Sequence, residues 1–381
     1  MTPPSYTGLT WDHPRGYNAL AQAARTIAPL HGLSIEWDRQ LLDGFESHPI
    51  AELCARYDLV VLDHPHVGEA VEAACLTSLE EVFEPRVLAA IATAAIGPCL
   101  SSYCYGGRHW ALPLDAAAQV VAWRPDLIDT PPDTWGEVER AAGASSFALS
   151  LAGPHAILNL LSIVAAFGRP PAEQEPDVLL DEEMGTRALE LLARLYAKAN
   201  RPLLQANPID ILEHMGRHDD AAFCPLIYGY VNYASRRPAR HQLAFADAPA
   251  AVPGGRRGST LGGTGIGISR RTKVTPELVM HLSWLLGEAA QLSFIPDHDG
   301  QPSFRRAWTD DRINRRWGNF YRATVATLET AYVRPRYRGW IAFQTEASDR
   351  IRAALAEHRS PRGTVRELNH LHRNSIGDRQ L

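Results

Sequence analysis

Several things are missing from this chain, and each absence narrows its class. No run of about 20 apolar residues occurs, the length that a membrane-crossing helix needs. Even 148–168, a rich apolar stretch, is interrupted by Pro154, His155 and Asn159. The five cysteines, Cys54, Cys75, Cys99, Cys104 and Cys224, cannot all pair within one chain, and none stands at CxxC spacing. Reduced, mostly buried thiols are therefore expected rather than a disulfide framework or a cysteine zinc site. Neither sign of charge dominates: 38 Lys and Arg against 43 Asp and Glu leave a net charge of −5. That balance offers no broad footprint for nucleic acid or anionic lipid. Arg305, Arg306, Arg312, Arg315 and Arg316 form a local basic run, read as a solvated helix face. The first 25 residues lack a basic start, an apolar run of roughly 7–15 residues and a small-residue cleavage site. The expectation is a cytoplasmic chain, or a periplasmic one if a signal was removed ahead of it.

What is present reads as two α/β lobes, since 381 residues exceed one average domain. Gly8–Trp11 is an apolar strand, Tyr17–Ala28 has helical spacing, and Leu33–Trp37 is a second strand. Ile50–Tyr57 reads as a helix and Asp58–Leu62 as a strand buried on both faces. Strands alternating with helices predict mostly parallel sheets. Tyr103–Asp115 reads as a hairpin turning on Gly106-Gly107, followed by the strand Gln119–Trp123. Beyond Trp135 come a strand at Phe147–Leu151, helices near Pro154–Phe167 and Met184–Ala199, and a strand at Ala221–Tyr228. A short strand at Leu243–Ala246 precedes a glycine-rich strand at Ser259–Ser269, and the remainder is mainly helical.

Parallel sheets bind ligands beyond the carboxyl ends of their strands, where loops and helix N-termini expose polar groups. Two such loops are Asp12-His13-Pro14 and Asp63-His64-Pro65-His66, in which proline fixes the backbone and presents an acid and imidazoles. These side chains suit hydrogen bonding to a ligand, acid–base work by a His that an Asp orients, or metal ligation. Helix capping by Asp12 and Asp63 is the structural alternative. His155 opens a helix behind Pro154, and Tyr228 and Tyr230 end a strand as possible aromatic walls. Gly262, Gly263, Gly265 and Gly267 lead into a strand rather than a helix, so they do not make a dinucleotide loop. Cleft lining with Thr264, and backbone rotation, suit them better. Cys104 falls in the hairpin, where a thiol is structural. No cofactor and no metal site is expected.

The ordered set Gly8–Trp11, "YDLVVLDHP" (57–65), "YGGRHWALP" (105–113), "VVAWRPDL" (120–127), "TWGEV" (134–138), "GGTGIGIS" (262–269) and "YVRPRYRGWIAFQ" (332–344) resembles the extracellular solute-binding proteins of bacterial ABC importers. The resemblance is to the carbohydrate-binding family with the type II periplasmic-binding fold. It implies lobe one at 1–115 plus 261–302 and lobe two at 116–260 plus 303–381, with a ligand cleft between lobes and hinge closure. The implied ligand is a small sugar, polyol or small acid, and the implied partner an ABC permease, for a monomer that is not membrane-embedded. Asp115, Arg336, Tyr337 and Trp340 join the candidate ligand contacts, Arg336 for a carboxylate and Trp340 for an apolar ring face. The rival expectation is an enzyme on the same scaffold using His66, His13, Asp63 and Asp12.

Overall fold

The computed structural model describes residues 3–173, 175–235 and 240–377. The strands, in chain order, are β1 (Ser5–Trp11), β2 (Ser34–Gln40), β3 (Leu59–Leu62), β4 (Leu76–Thr77), β5 (Cys104–Tyr105), β6 (Arg108–His109), β7 (Leu112–Trp123), β8 (Phe223–Tyr228), β9 (Ala244–Ala246) and β10 (Leu261–Ser269). The chain forms two compact units. Unit 1 holds Met1–Ala117, Gly262–Trp317 and Arg336–Arg338; unit 2 holds Ala118–Leu261, Gly318–Pro335 and Gly339–Leu381. Residues 303–317 and 336–338 thus group with the first unit, whereas the sequence reading put them in lobe two. Trp308 explains part of this: its indole is buried and donates to Pro302 O at 2.8 Å.

In unit 1, β1 pairs in parallel with both β2 and β3, with Gly8 opposite Trp37 on one side and Leu59 on the other. β10 then runs antiparallel to β3, placing Gly265 opposite Leu62, and also pairs with β4. The sheet is accordingly mixed, not parallel throughout. The four residues of β3 are all buried, and their alternation decides which core each enters. Leu59 and Val61 pack with Tyr6, Leu20, Ile266 and Leu282, whereas Val60 and Leu62 pack with Leu9, Leu53 and Val67. An uninterrupted apolar run is what a strand covered on both faces requires. Helix α1 (Pro14–Thr26) starts with Pro14 in its first turn and buries Ala19, Leu20 and Ala23. Helices α2 (Ile50–Arg56) and α3 (Val67–Glu72) flank β3 in sequence.

In unit 2, β7 pairs antiparallel with β8, Gln119 opposite Tyr228, and with β9, Val121 opposite Ala246. Helix α4 (His155–Ala166) buries all of its residues, as an apolar helix without a polar face must. The strand expected at Phe147–Leu151 reduces to one parallel bridge from Phe147 to Phe223. The expected hairpin is present: β5 and β6 pair antiparallel around Gly106 and Gly107, whose φ values of 58° and 77° only glycine adopts cheaply. The basic run lies on the exposed faces of 305–309 and 311–316. Among the described residues no single helix is long and apolar enough to cross a membrane; the bent apolar pair 276–285 and 290–297 supplies Leu278, Leu282 and Ile295 to a core.

Candidate functional site

In unit 1 the loops after β1 and β3 carry the first candidates. His13 caps α1, its Nδ1 accepting from Arg15 N at 3.1 Å, so the imidazole rather than Asp12, the structural alternative, serves the helix end. Asp12 instead points outward and pairs with Arg39 at 2.9 Å, both about half exposed, an arrangement worth little to stability. Asp63 caps the turn that follows it, accepting from His64 N at 2.8 Å, and stands 3.0 Å from His64 Nδ1. His64 is wholly buried, its ring edge-on to Tyr103, and His66 is nearly so. Asp63 and His64, consecutive in the loop after β3, are therefore the one acid–imidazole pair seen among these candidates.

Asp115 lies in β7 within unit 1 and is held by Arg15. The guanidinium Nε donates to Oδ2 at 2.9 Å and a second nitrogen reaches Oδ1, with both side chains 4% exposed. Gln301 N adds a 3.3 Å hydrogen bond to the same carboxylate. A planar fork on a carboxylate is the geometry in which a buried ion pair offsets its own desolvation best. Arg15 also lies 5.7 Å from the Trp11 ring centre. Trp11, Arg15, Leu114, Asp115 and Thr264 line one narrow crevice, into which Gly300 also faces. Gly263 makes the approach possible: its φ is +86°, and a Cβ there would stand 2.3 Å from Asp115 O. All four glycines of the rejected dinucleotide loop lie inside β10.

Arg336 and Tyr337 belong to unit 1 through backbone contacts. The Arg336 guanidinium donates to Ser101 O at 2.8 Å and Ser102 O at 3.1 Å. Gly68 of α3 packs so closely that an added Cβ would sit 1.7 Å from Arg336 O. The arginine expected to clamp a carboxylate is occupied in tying its own segment to the unit.

In unit 2, His155 begins α4 almost fully buried, its ring 5.9 Å from that of Tyr228. Burial first, then the nearby cations Arg334 and Arg352, push its pKa down to about 3, so the imidazole is neutral. The Tyr228 hydroxyl lies 3.4 Å from both Thr260 Oγ1 and Leu261 O. Tyr230 is buried with its ring edge-on to Tyr233. Trp340 corrects the sequence reading: it is wholly buried, its ring tilted at 40° to Phe343 and edge-on to His372, and so serves the helical core rather than a ligand face.

Residues not singled out in the sequence reading hold these groups in place. Gln119 Nε2 donates to Asn159 Oδ1 at 2.7 Å, while its Oε1 accepts from Ser162 at 2.6 Å and Thr260 at 2.8 Å. Asn159 in turn donates to Ser150 O at 2.7 Å. This buried network is satisfied on both ends of Gln119, as such networks must be to specify one arrangement, and through Thr260 it reaches the Tyr228 hydroxyl. A polar residue inside an otherwise apolar strand and helix was its only sequence signal.

No protein-family model matches the chain, and no curated protein sequence matches it. Solved structures do. A solute-binding protein from Agrobacterium radiobacter K84, in complex with ribitol, aligns over 97% of this chain and 98% of its own at TM-score 0.79 and 18% identity. The fold is that of ABC-transporter solute-binding proteins. Maltose-bound MalE3 of T. maritima has this solute-binding fold at TM-score 0.80, 17% identity and coverage of 97% and 98%. A D-mannitol-bound solute-binding protein of Agrobacterium vitis S4 shares it at TM-score 0.76, 15% identity and coverage of 98% and 99%. The α/β solute-binding fold inferred from the ordered motifs is thus present over nearly the whole chain, at identities that establish the fold alone.

Proposed function

We propose that this chain binds a small uncharged sugar or polyol, with polar side chains at strand ends supplying ligand contacts. It would do so as the solute-binding component of an ABC-type uptake system, acting with a permease, or as a relative of one. The observation that carries the proposal is the match over at least 97% of the chain to proteins bound to ribitol, maltose and D-mannitol. The electrostatics favour a neutral ligand over a small acid. Arg15 is forked onto Asp115, Arg336 donates to two carbonyls, and Arg334 donates to Gln344 Oε1 at 3.4 Å and Leu261 O at 3.3 Å. An anion would have to compete with these contacts for its counter-charge. Hydroxyls need only donors and acceptors such as His66 and the Tyr228 phenol, with an aromatic face alongside.

A thermal-shift screen tests this with sugars, sugar alcohols, amino acids and aromatic acids at millimolar concentration. Ligand bound only by the folded state raises Tm by mass action. Shifts confined to neutral polyhydroxy compounds support the proposal. A shift given by acids alone, or by no sugar or polyol, refutes it.

A further inference from the structure

One cavity of unit 1 is used by none of the contacts described so far. It measures about 560 Å³, the size of a small-molecule site, and lies between α1, β2 and the segment 297–299. On the α1 side, Asn18, Ala21 and Arg25 share one helical stripe, and the small Ala21 leaves the space open between its polar neighbours. The opposite wall is fixed in advance. Asp299, at a left-handed φ of 69°, accepts from Asn18 Nδ2 at 2.6 Å. Asp297 stands 3.1 Å from Arg312 and 3.3 Å from Arg316, so its charge is met from outside, whereas Asp299 meets a neutral amide. His298 Nδ1 donates to Phe294 O at 2.7 Å, which leaves Nε2 as an acceptor.

Two further residues of β2 complete the wall. Glu36 is exposed and has no ion-pair partner among the described residues. Trp37 is 8% exposed, yet its buried indole N–H has no acceptor among the described residues. Its carbocycle lies over Gly8 of β1, where a Cβ would stand 2.5 Å from Cε3 and Cζ3. The N–H is at the other edge of the ring, turned away from β1, in a side chain that lines the cavity. A buried donor without an acceptor is costly, and a ligand atom that accepts from it removes that cost.

We propose that this cavity is a second ligand site, for a small organic cation that also carries hydroxyl groups, an amino sugar being the simplest. Acceptors dominate its wall: Glu36, Asp299 and His298 Nε2 stand against Arg25, the one cation that lines it, which is hydrogen-bonded to Gln22 Oε1 at 2.6 Å. An ammonium group binds at the Asp299 and Glu36 carboxylates through charge-assisted hydrogen bonds. One ligand hydroxyl accepts from the Trp37 N–H, another donates to His298 Nε2, and an apolar ring face lies against the indole. A neutral sugar lacks the first of these contacts, and an anion is repelled by the same carboxylates. The site shares no residue with the strand-end contacts of the neutral sugar or polyol proposed above, so either proposal stands or falls without the other.

The test is titration calorimetry of the full-length chain with glucosamine, beside N-acetylglucosamine, which lacks the charge, and glucose, which lacks the nitrogen. Glucosamine should bind with a Kd of about a millimolar or tighter, and the other two at least about tenfold more weakly at this site. Glu36→Gln and Asp299→Asn should each weaken glucosamine about tenfold, the worth of one charge-assisted hydrogen bond. Ala21→Phe, which keeps every charge but fills the cavity, should abolish its binding. No saturable heat with glucosamine, equal affinity for glucose or N-acetylglucosamine, or unchanged glucosamine affinity in Glu36→Gln and Ala21→Phe would overturn the proposal. Unchanged affinity in those variants would place the amine elsewhere on the chain. Should Asp299→Asn fail to fold for want of its tie to Asn18, the other two variants decide.

Discussion

Replacing Arg15 with Met keeps an unbranched apolar stem in place but removes the guanidinium from Asp115. The carboxylate is 4% exposed and would retain only the 3.3 Å hydrogen bond from Gln301 N. Removing one partner of a buried pair costs about 3–5 kcal/mol, because the remaining charge has neither water nor a counter-ion. At roughly 2–4 °C per kcal/mol for a unit of this size, Tm should fall by about 6–20 °C. Asp115→Leu alone should cost a similar amount by stranding the guanidinium. The double variant Arg15→Met/Asp115→Leu should recover at least half of either loss, since two apolar side chains of comparable volume need no charge compensation. Differential scanning calorimetry on the four proteins closes the cycle. A cost below about 1 kcal/mol for Arg15→Met, or a double variant no more stable than the worse single, would refute the view that this buried pair ties the start of α1 to β7.

Three other outcomes follow from the geometry. His155 is neutral when folded, with a pKa near 3, against an ordinary value of about 6.5. Between those values the unfolded chain binds more protons, so stability falls as pH drops below about 6.5, by about 2 kcal/mol at pH 5 from this group alone. The slope of Tm against pH from 5 to 7 should flatten in His155→Gln, and an unchanged slope would contradict the assignment. Gly68→Ala should lower Tm by several degrees, because its Cβ would meet Arg336 O at 1.7 Å and overpacking of that kind costs about 1–3 kcal/mol; a neutral result would mean that segment 336–338 can move aside. His66→Ala should weaken binding of a polyol about tenfold, the worth of one hydrogen bond, as read by calorimetry.

The sequence made some elements legible because their cause is local. Leu59–Leu62 is apolar at every position, which only a strand covered on both faces explains, and Gly106-Gly107 names its own turn. The ordered motifs carried the α/β solute-binding fold differently, through their order along the whole chain rather than through any one of them. Pairing direction is different: nothing in the residues of β10 says that it runs antiparallel to β3, because partner choice is set by the path of the whole chain. Long-range partners were hidden likewise. Asp115 was read as the end of a hairpin and a candidate ligand contact, but its partner is the guanidinium of Arg15, 100 positions away. Trp340 has the spacing of any amphipathic helix, and only packing shows that Phe343 and His372 enclose it.

Titration calorimetry with the sugar or polyol that gives the largest thermal shift tests the central claim most directly, with the ligand recovered afterwards for mass spectrometry. The account predicts saturable 1:1 binding with Kd in the micromolar range or tighter, and a ligand recovered unchanged. Absence of heat for any neutral polyhydroxy compound, or recovery of an altered molecule, would contradict it; the altered molecule would point instead to acid–base chemistry at Asp63 and His64.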